Sequence, residues 1–295
     1  MEGETLEVEA AAKVNLSLRV KALDGSGMHP LLSLVQSFDR CDRLTASLAG
    51  EDELDIGDVD LPAERDNLIW RAIDRLRAET GDQRSFSFSL TKQIPISAGL
   101  AGGSADAAAA LVAASALLGI SRATIMEVAA GVGADVPFCV QGGFSWMEGH
   151  GELLTPIRQA PADYALAVVV PPFPLNTAAV YRRWDDLGEP AGGAVDAKHL
   201  PPSLRAFGPF INDLYPAALD LRPELGEWQA ELVGRWERPV MLSGSGPSLF
   251  AYFADRTEAT EAAGLGPVEA RARFATSPVA FGARLLDSLA EDRSH

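Results

Sequence analysis

Apolar and polar residues alternate over residues 5–12 and again over 14–20, the period of two that turns one face of a strand toward a core. Asp24-Gly25-Ser26-Gly27 follows as a turn. Residues 31–38 are apolar with strand character, and 43–48 continue them. The stretch 51–66 is acidic and reads as a solvated loop. The period then changes. Leu68, Ile69, Ala72, Ile73 and Leu76 fall on one helical face over residues 67–79, and Gly81 stops the helix. Phe86, Phe88 and Leu90 alternate as a strand that leads into a loop. The next segment, from about Ser104 to Leu118, is apolar nearly all round, which predicts a buried helix ending at Gly119.

Residues 121–130 predict a further helix, 142–147 with 153–157 a hairpin, and 164–170 a strand that ends at Pro171-Pro172. Residues 188–193 read as a flexible insert. Loop then helix is expected over 209–221, a helix over 225–236, a short strand over 239–242, a strand over 249–253 and a helix over 257–263. Residues 291–295 read as a frayed tail. Strands dominate first, helices next, and a mixture last. Because they do not alternate regularly, the order predicts an α+β protein rather than a doubly wound sheet.

The loop at 95–104 carries the most chemical information. Gly99, Gly102 and Gly103 bare backbone amides ahead of an alanine-rich helix, and Ser104 stands at the expected N-cap. Unpaired N–H groups at a helix start attract anions, phosphate above all. The same glycines could instead let the helix pack close to a strand. The loop is neither a Walker loop, lacking Gly-Lys-Ser/Thr, nor a dinucleotide fingerprint, having the wrong glycine spacing.

Composition removes other readings. With 25 basic and 41 acidic residues in 295, the net charge of −16 argues against a nucleic-acid partner. Any anion site must therefore be built locally. No apolar run approaches membrane-spanning length, and the acidic start, Met1-Glu2-Gly3-Glu4, is unlike a signal peptide. Cys41 and Cys139 are far apart and fit reduced thiols in a cytoplasm. The four scattered histidines predict no protein-built metal centre. A length of 295 residues suits two modest domains, or one large one.

Three separated motifs coincide with one family. Ala12-Lys13-Val14-Asn15-Leu16, the loop and helix at 95–110, and Ser243-Gly244-Ser245-Gly246-Pro247 together resemble the GHMP family of small-molecule kinases. Further points of likeness are Asp66-Asn67-Leu68-Ile69, Gly133-Ala134-Asp135-Val136-Pro137-Phe138 and residues 149–156. The chain is most similar to the branch that acts on 4-diphosphocytidyl-2-C-methyl-D-erythritol. The resemblance implies a two-domain α+β fold, with an N-terminal ATP-binding domain over 1–158 (ribosomal protein S5 domain 2-like) and a ferredoxin-like C-terminal domain over 159–295. It implies ATP-dependent phosphorylation of the 2-hydroxyl of that substrate, in the non-mevalonate isoprenoid pathway, with Mg²⁺ as cofactor. The partner is a small molecule, a cytidine diphosphate-linked polyol, and the chain is expected to act as a monomer or homodimer.

The resemblance also assigns residues. Asp135 matches the catalytic aspartate, which orients the alcohol and accepts its proton late in a loose phosphoryl-transfer transition state. Lys13 matches the family's N-terminal lysine, placed to offset charge on the transferring group. Asn15, on the same strand face as Lys13, is a candidate for a substrate hydrogen bond. Gly99, Leu100, Ala101, Gly102, Gly103 and Ser104 would hold the ATP phosphates, and Gly244, Ser245 and Gly246 would close that site. Asp106 would repel phosphate and is expected to point away. His29 and Tyr181 match the histidine and aromatic ring that hold cytosine. Met28 stands where the family places a second ring, and Ala11 where it places a proline. The alternatives on the same fold are a kinase for another small alcohol and a non-catalytic binding protein.

Overall fold

The computed structural model describes residues 4–57, 67–158 and 163–286. Part of the expected acidic loop (58–66, with Asp66), residues 159–162 just past the expected domain joint, and the tail at 291–295 lie outside the described residues.

β1 (Thr5–Val20) is a single long strand where the sequence pattern predicts two, and β2 (Leu31–Ala49) joins the stretch 31–38 to its expected continuation at 43–48. The physical reason is bulging. Register shifts between Ala11 and Ala12 and between Asn15 and Ser17 break the period of two without ending the strand. β3 (Glu53–Asp55) is short and runs parallel to β4 (Ser85–Thr91). Between them α1 (Leu68–Thr80) is capped by Asn67, whose side chain accepts from the Ile69 amide, and closed by Gly81 at φ 76°.

α2 (Gly102–Leu118) starts two residues earlier than expected. Ala101, at φ 58°, turns the chain into the helix, and no side chain caps it. Ser104 is therefore a first-turn residue rather than the N-cap. The two glycines have low helix propensity, which hides this start in the sequence. The alanines of α2 are buried nearly all round, Ala116 near its end excepted, as its uniform apolarity predicts. α3 (Arg122–Ala130) has Ser121 as its cap, and α4 (Val136–Gln141) follows. β5 (Phe144–Gly149) and β6 (Leu153–Pro156) form the expected hairpin.

The remaining elements are β7 (Ala165–Val170), α5 (Thr177–Asp186), α6 (Tyr215–Leu221), α7 (Glu224–Trp236), β8 (Met241–Leu242), β9 (Leu249–Phe253), α8 (Arg256–Gly264), β10 (Ala272–Thr276), β11 (Pro278–Val279) and β12 (Ala283–Leu285). Sequence pattern predicts neither α4 nor α5, nor the last three strands. α4 has six residues with Pro137 inside, too few for a period to register.

Two sheets result. The larger runs β12-β1-β2-β4-β3, with β5 and β11 also pairing β2 and β6 pairing β5. The smaller is antiparallel, in the order β10-β7-β9-β8. The chain returns at its end, so residues 278–285 complete the larger sheet. β7 shows how the layers share apolar surface. Leu166, Val168 and Val170 face the core built on the larger sheet and α1–α4, while Ala165, Ala167 and Val169 face that of α5–α8. No helix among the described residues is long and apolar enough to cross a membrane.

Candidate active site

β1 carries Lys13 into a cavity of about 890 Å³ that α2, residues 134–135 just before α4, α5 and the 243–248 loop also line. Lys13 is only 5% exposed, so its ammonium needs partners, and it has two. It donates to Asn15 Oδ1 at 2.6 Å and pairs with Asp135 Oδ1 at 3.1 Å. Asn15 in turn donates to Ser33 Oγ at 2.7 Å, and Ser33 donates to the Ser17 carbonyl at 2.7 Å. Lys13 and Asn15 thus do share a strand face. Asp135 stands at the N-cap position of α4 but makes no capping hydrogen bond; its carboxylate turns to Lys13 instead.

The two glycine loops meet over this pair. The Lys13 amide donates to the Leu100 carbonyl at 3.1 Å, and the Ser248 amide to the Ala98 carbonyl at 3.2 Å. Ser243 Oγ donates to the Gly99 carbonyl at 2.9 Å. Gly99 has φ 74°, and a Cβ there would sit 2.5 Å from the Ser243 carbonyl oxygen, so only glycine fits. A Cβ on Gly244 would come within 3.1 Å of Asn15 Oδ1. Gly103 is different: an added Cβ would meet only the tip of Leu68, at 3.4 Å. Its open side is the cavity, which Gly99, Ala101, Gly102, Gly103 and Ser104 all line, with Gly244 and Ser245 opposite. Leu100 is buried and serves the loop through its carbonyl. Gly246 lines a neighbouring cavity rather than this one.

A buried ionic cluster anchors the first loop from behind. Lys92 pairs with Asp42 on β2 and, at 2.7 Å, with Asp106 on α2. Asp42 Oδ1 also accepts from the amides of Gln93 at 2.5 Å and Ile94 at 2.8 Å. Both ends of the loop are thereby tied to one ammonium. Asp106 does not line the cavity; its carboxylate turns to Lys92. Burial, opposed by Lys92 and reinforced by Asp42, raises its carboxyl to about 8. One ammonium faces two carboxylates there, and Asp106 Oδ1 has no hydrogen-bond partner among the described residues.

At the far end of the cavity, His29 Nδ1–H donates to the Lys21 carbonyl at 2.9 Å, which fixes that tautomer's proton. Nε2 lies 3.3 Å from Asp185 Oδ2. The imidazole packs on Tyr181, centroids 5.3 Å apart, and edge-on to Trp184 at 5.5 Å. Burial, then the charge of Asp135, pushes the Tyr181 phenol above its ordinary value. Met28 is 48% exposed at the cavity rim. The sequence reading missed His150, Thr177, Arg182 and Asp185, which also line the cavity. The spacing of Thr177, Tyr181 and Asp185, four apart, was the available signal: they share a helix face.

Comparison with known proteins adds the family. Residues 67–143 match the model of the GHMP kinases N terminal domain. The chain is 36% identical over 264 residues to the 4-diphosphocytidyl-2-C-methyl-D-erythritol kinase of Geobacter metallireducens, covering 88% of this chain and 93% of that one. The chain belongs to the GHMP kinase family. An enzyme of the same name from an Anaeromyxobacter species is 38% identical, over 88% of this chain and 85% of its own. Among solved structures, a 4-(cytidine 5'-diphospho)-2C-methyl-D-erythritol kinase superposes with TM-score 0.73 at 31% identity, over 92% of this chain and 99% of that chain. A homoserine kinase from Cytophaga hutchinsonii, 19% identical with TM-score 0.69, shares the GHMP fold over 97% of this chain and 99% of its own.

Proposed function

We propose that this chain is an ATP-dependent kinase that phosphorylates the 2-hydroxyl of 4-diphosphocytidyl-2-C-methyl-D-erythritol, a step of the non-mevalonate isoprenoid pathway. The observation that carries the reading is the Lys13–Asp135 pair, facing the glycine loop across one cavity. Relatives with that activity in their names match the chain over most of its length.

The residues divide the work. Amides of 99–104 face ATP phosphates at the start of α2, and Gly244 and Ser245 close the site from the smaller sheet. Asp135 orients the substrate hydroxyl. A carboxylate is a weak base for an alcohol, but the loose transition state lets the proton leave late. Lys13 holds Asp135 and offsets charge on the transferring group. Asn15 keeps one amide hydrogen free for substrate once Ser33 has taken the other. His29 and Tyr181 hold the cytosine, with Met28 at its edge.

Mg²⁺ fits here as a cation held mainly by ATP itself, with one or two protein oxygens. Ser104, whose side chain makes no hydrogen bond among the described residues, and Asp135 are the cavity oxygens suited to it. When bound it neutralises phosphate charge. The ATP-binding unit is read as 1–158 and the second unit as 159–295, whose last strands return to the first sheet. Both cysteines are free, in keeping with a cytoplasmic enzyme working as a monomer or homodimer.

The deciding experiment is ATP turnover with 4-diphosphocytidyl-2-C-methyl-D-erythritol beside a panel of alcohols that includes mevalonate and homoserine. The diphosphocytidyl substrate should be turned over with the highest kcat/KM. Preference for another alcohol would overturn the substrate and keep the kinase. That second reading draws on Met28, which leaves the nucleoside end one ring short of the family's pattern.

A further inference from the structure

The second glycine loop is held from behind by a side chain outside all the sequence motifs. Residues 211–213 run beside the end of β1. The Leu18 amide donates to the Ile211 carbonyl at 2.7 Å, and the Asp213 amide to the Leu18 carbonyl at 3.0 Å. Asp213 Oδ2 accepts from the Val20 amide at 3.1 Å. Asn212, between them, is thereby fixed to the strand that carries Lys13 and Asn15. Its side chain reaches across to the smaller sheet. Nδ2 donates to the carbonyls of Leu242 and Gly244, each at 2.8 Å, and Oδ1 accepts from the Leu214 amide at 3.0 Å. Asn212 is buried, and both of its amide hydrogens are used. The reversed amide would set an oxygen against two carbonyl oxygens, so the network fixes its orientation.

The peptide that follows Gly244 carries the consequence. It is trans, since the cis bonds lie at 208–209 and 246–247. In a planar trans peptide the N–H points opposite to the C=O. The Gly244 carbonyl is drawn toward Asn212, which does not line the cavity, whereas Gly244 and Ser245 do. The Ser245 N–H is therefore turned toward the cavity side. Ser245 is 7% exposed, yet its amide has no hydrogen-bond partner among the described residues. Its hydroxyl already bonds that of Thr177 at 2.9 Å. Buried amides are seldom left unpaired, so this one is kept for an acceptor that arrives with a ligand.

We propose that Asn212 is a positioning residue for phosphoryl transfer: it locks the Gly244–Ser245 peptide so that the Ser245 amide meets a phosphate oxygen of ATP. The proposal rests on the reading above, in which Gly244 and Ser245 close the phosphate site. An amide already aimed loses no orientational freedom when phosphate arrives, and it donates a charge-assisted hydrogen bond. In a chain of net charge −16, such local donors are what an anion site requires. Because residues 211–213 are bonded to β1, the amide is also set relative to Lys13 on the same strand.

The test uses N212L, which removes all three side-chain hydrogen bonds at similar volume, and N212A, which leaves space for water. Both are assayed well below their melting temperatures. The KM of ATP should rise at least about 10-fold, the effect of one hydrogen bond to a charged group, while the KM of the alcohol holds. A role in folding alone would lower the melting temperature and leave both KM values in place. In ¹⁵N-labelled wild type, the Ser245 amide proton should move downfield when a non-hydrolysable ATP analogue binds, and that movement should be lost in the variants. An unmoved KM of ATP in either folded variant overturns the proposal. So does a rise shared equally by ATP and the alcohol, which marks general damage to the site. Failure of both variants to fold assigns Asn212 to the fold alone and overturns it as well. If the wild-type Ser245 proton ignores the bound analogue, the second loop meets no phosphate, and the reading beneath the proposal is what fails.

Discussion

The two ends of the cavity are built differently. At the reacting end, Lys13, Asn15 and Ser33 lie on β1 and β2, all nearly inaccessible to solvent, in one chain of hydrogen bonds that also fixes Asp135. At the nucleoside end, His29 and Met28 follow a turn, His150 follows β5, and Tyr181 projects from α5. Phosphoryl transfer, the proposed chemistry, depends on orientation, and Lys13 and Asn15 stand on a strand where packing locks their rotamers, with Asp135 held by Lys13 at the start of α4. Recognition of a base depends on surface contact, which loops and a helix face can supply and change. The first end should fail abruptly when altered and the second by degrees.

The sharpest break is at Asp135. Asp135→Asn keeps the shape but cannot accept the proton, and kcat should fall by at least about 10²-fold with little change in substrate binding. Steady-state kinetics on the purified variant would show it; a near-wild-type kcat would reduce Asp135 to an N-terminal residue of α4. Lys13→Met should also slow turnover strongly. The double variant should be less than additive, because the two groups form one pair.

The glycine loop gives the next contrast. Gly103→Val adds a side chain where the protein leaves room and phosphate must approach, so ATP affinity should collapse in a folded protein. Gly99→Val forces a branched side chain into a left-handed backbone, against the carbonyl oxygens of Ser243 and Gly246, and should cost stability as well. Thermal melts with ATP titrations distinguish the two. ATP binding that survives in folded Gly103→Val removes the phosphate role.

At the nucleoside end Tyr181→Ala should raise the KM of the cytidine substrate by about 5- to 150-fold, the range for lost base stacking. Because the base is remote from the reacting hydroxyl, kcat should fall less. CMP should compete with the alcohol and not with ATP. An unmoved KM together with no competition by CMP would remove cytidine from this end.

The cluster behind the loop titrates. The Asp106 carboxyl is raised from its ordinary 3.8 to about 8. The folded state thus holds a proton that the unfolded chain has released. Its stabilising effect is full below about pH 4 and is lost as pH rises through about 8. Asp106→Asn is neutral throughout. Its denaturation midpoint should gain on the wild type's steadily from pH 5 to pH 8, a gap insensitive to the chain's overall charge. A constant gap would show that Lys92 keeps Asp106 ionised.

What the sequence reveals follows the same division. Lys13, Asp135 and the glycine loop stand in contiguous motifs, because one strand or one helix start carries each group. α1 is legible because it buries one periodic face, and α2 because it is apolar nearly all round. Lys92 and Asp42 are not: their meaning arises only when β2, the end of β4 and the start of α2 converge. The returning strands β11 and β12 have two and three residues, too short for a period. Arg182 and Arg183 are adjacent and identical in type, and only the helix tells which one faces the cavity. The start of α2 is hidden by glycines that local propensity counts against a helix.

The smallest expected effect lies at Met28. Its side chain is 48% exposed at the rim and lines the cavity, on the residue before His29. A thioether can pack on a base, but its several rotatable bonds define its position poorly, so the entropy lost in ordering it offsets part of the packing energy. A tyrosine has two torsions and a flat face, and delivers more stacking area for less lost freedom. The turn before it is held by its own bonds: the Asp24 amide donates to the Met28 carbonyl at 3.0 Å, and the Ser26 amide to Asp24 Oδ1 at 2.8 Å. Those bonds use backbone and Asp24, so Met28→Tyr changes the side chain without changing the turn. Cytidine affinity should rise by about 5-fold, the lower end of the stacking range, through slower release. In Tyr181→Ala the same change should improve affinity less, because a base held on one side only remains loosely placed. Equal improvements in both backgrounds would mean that the two side chains touch the base independently, and that Met28 is a neighbour of the clamp rather than half of it.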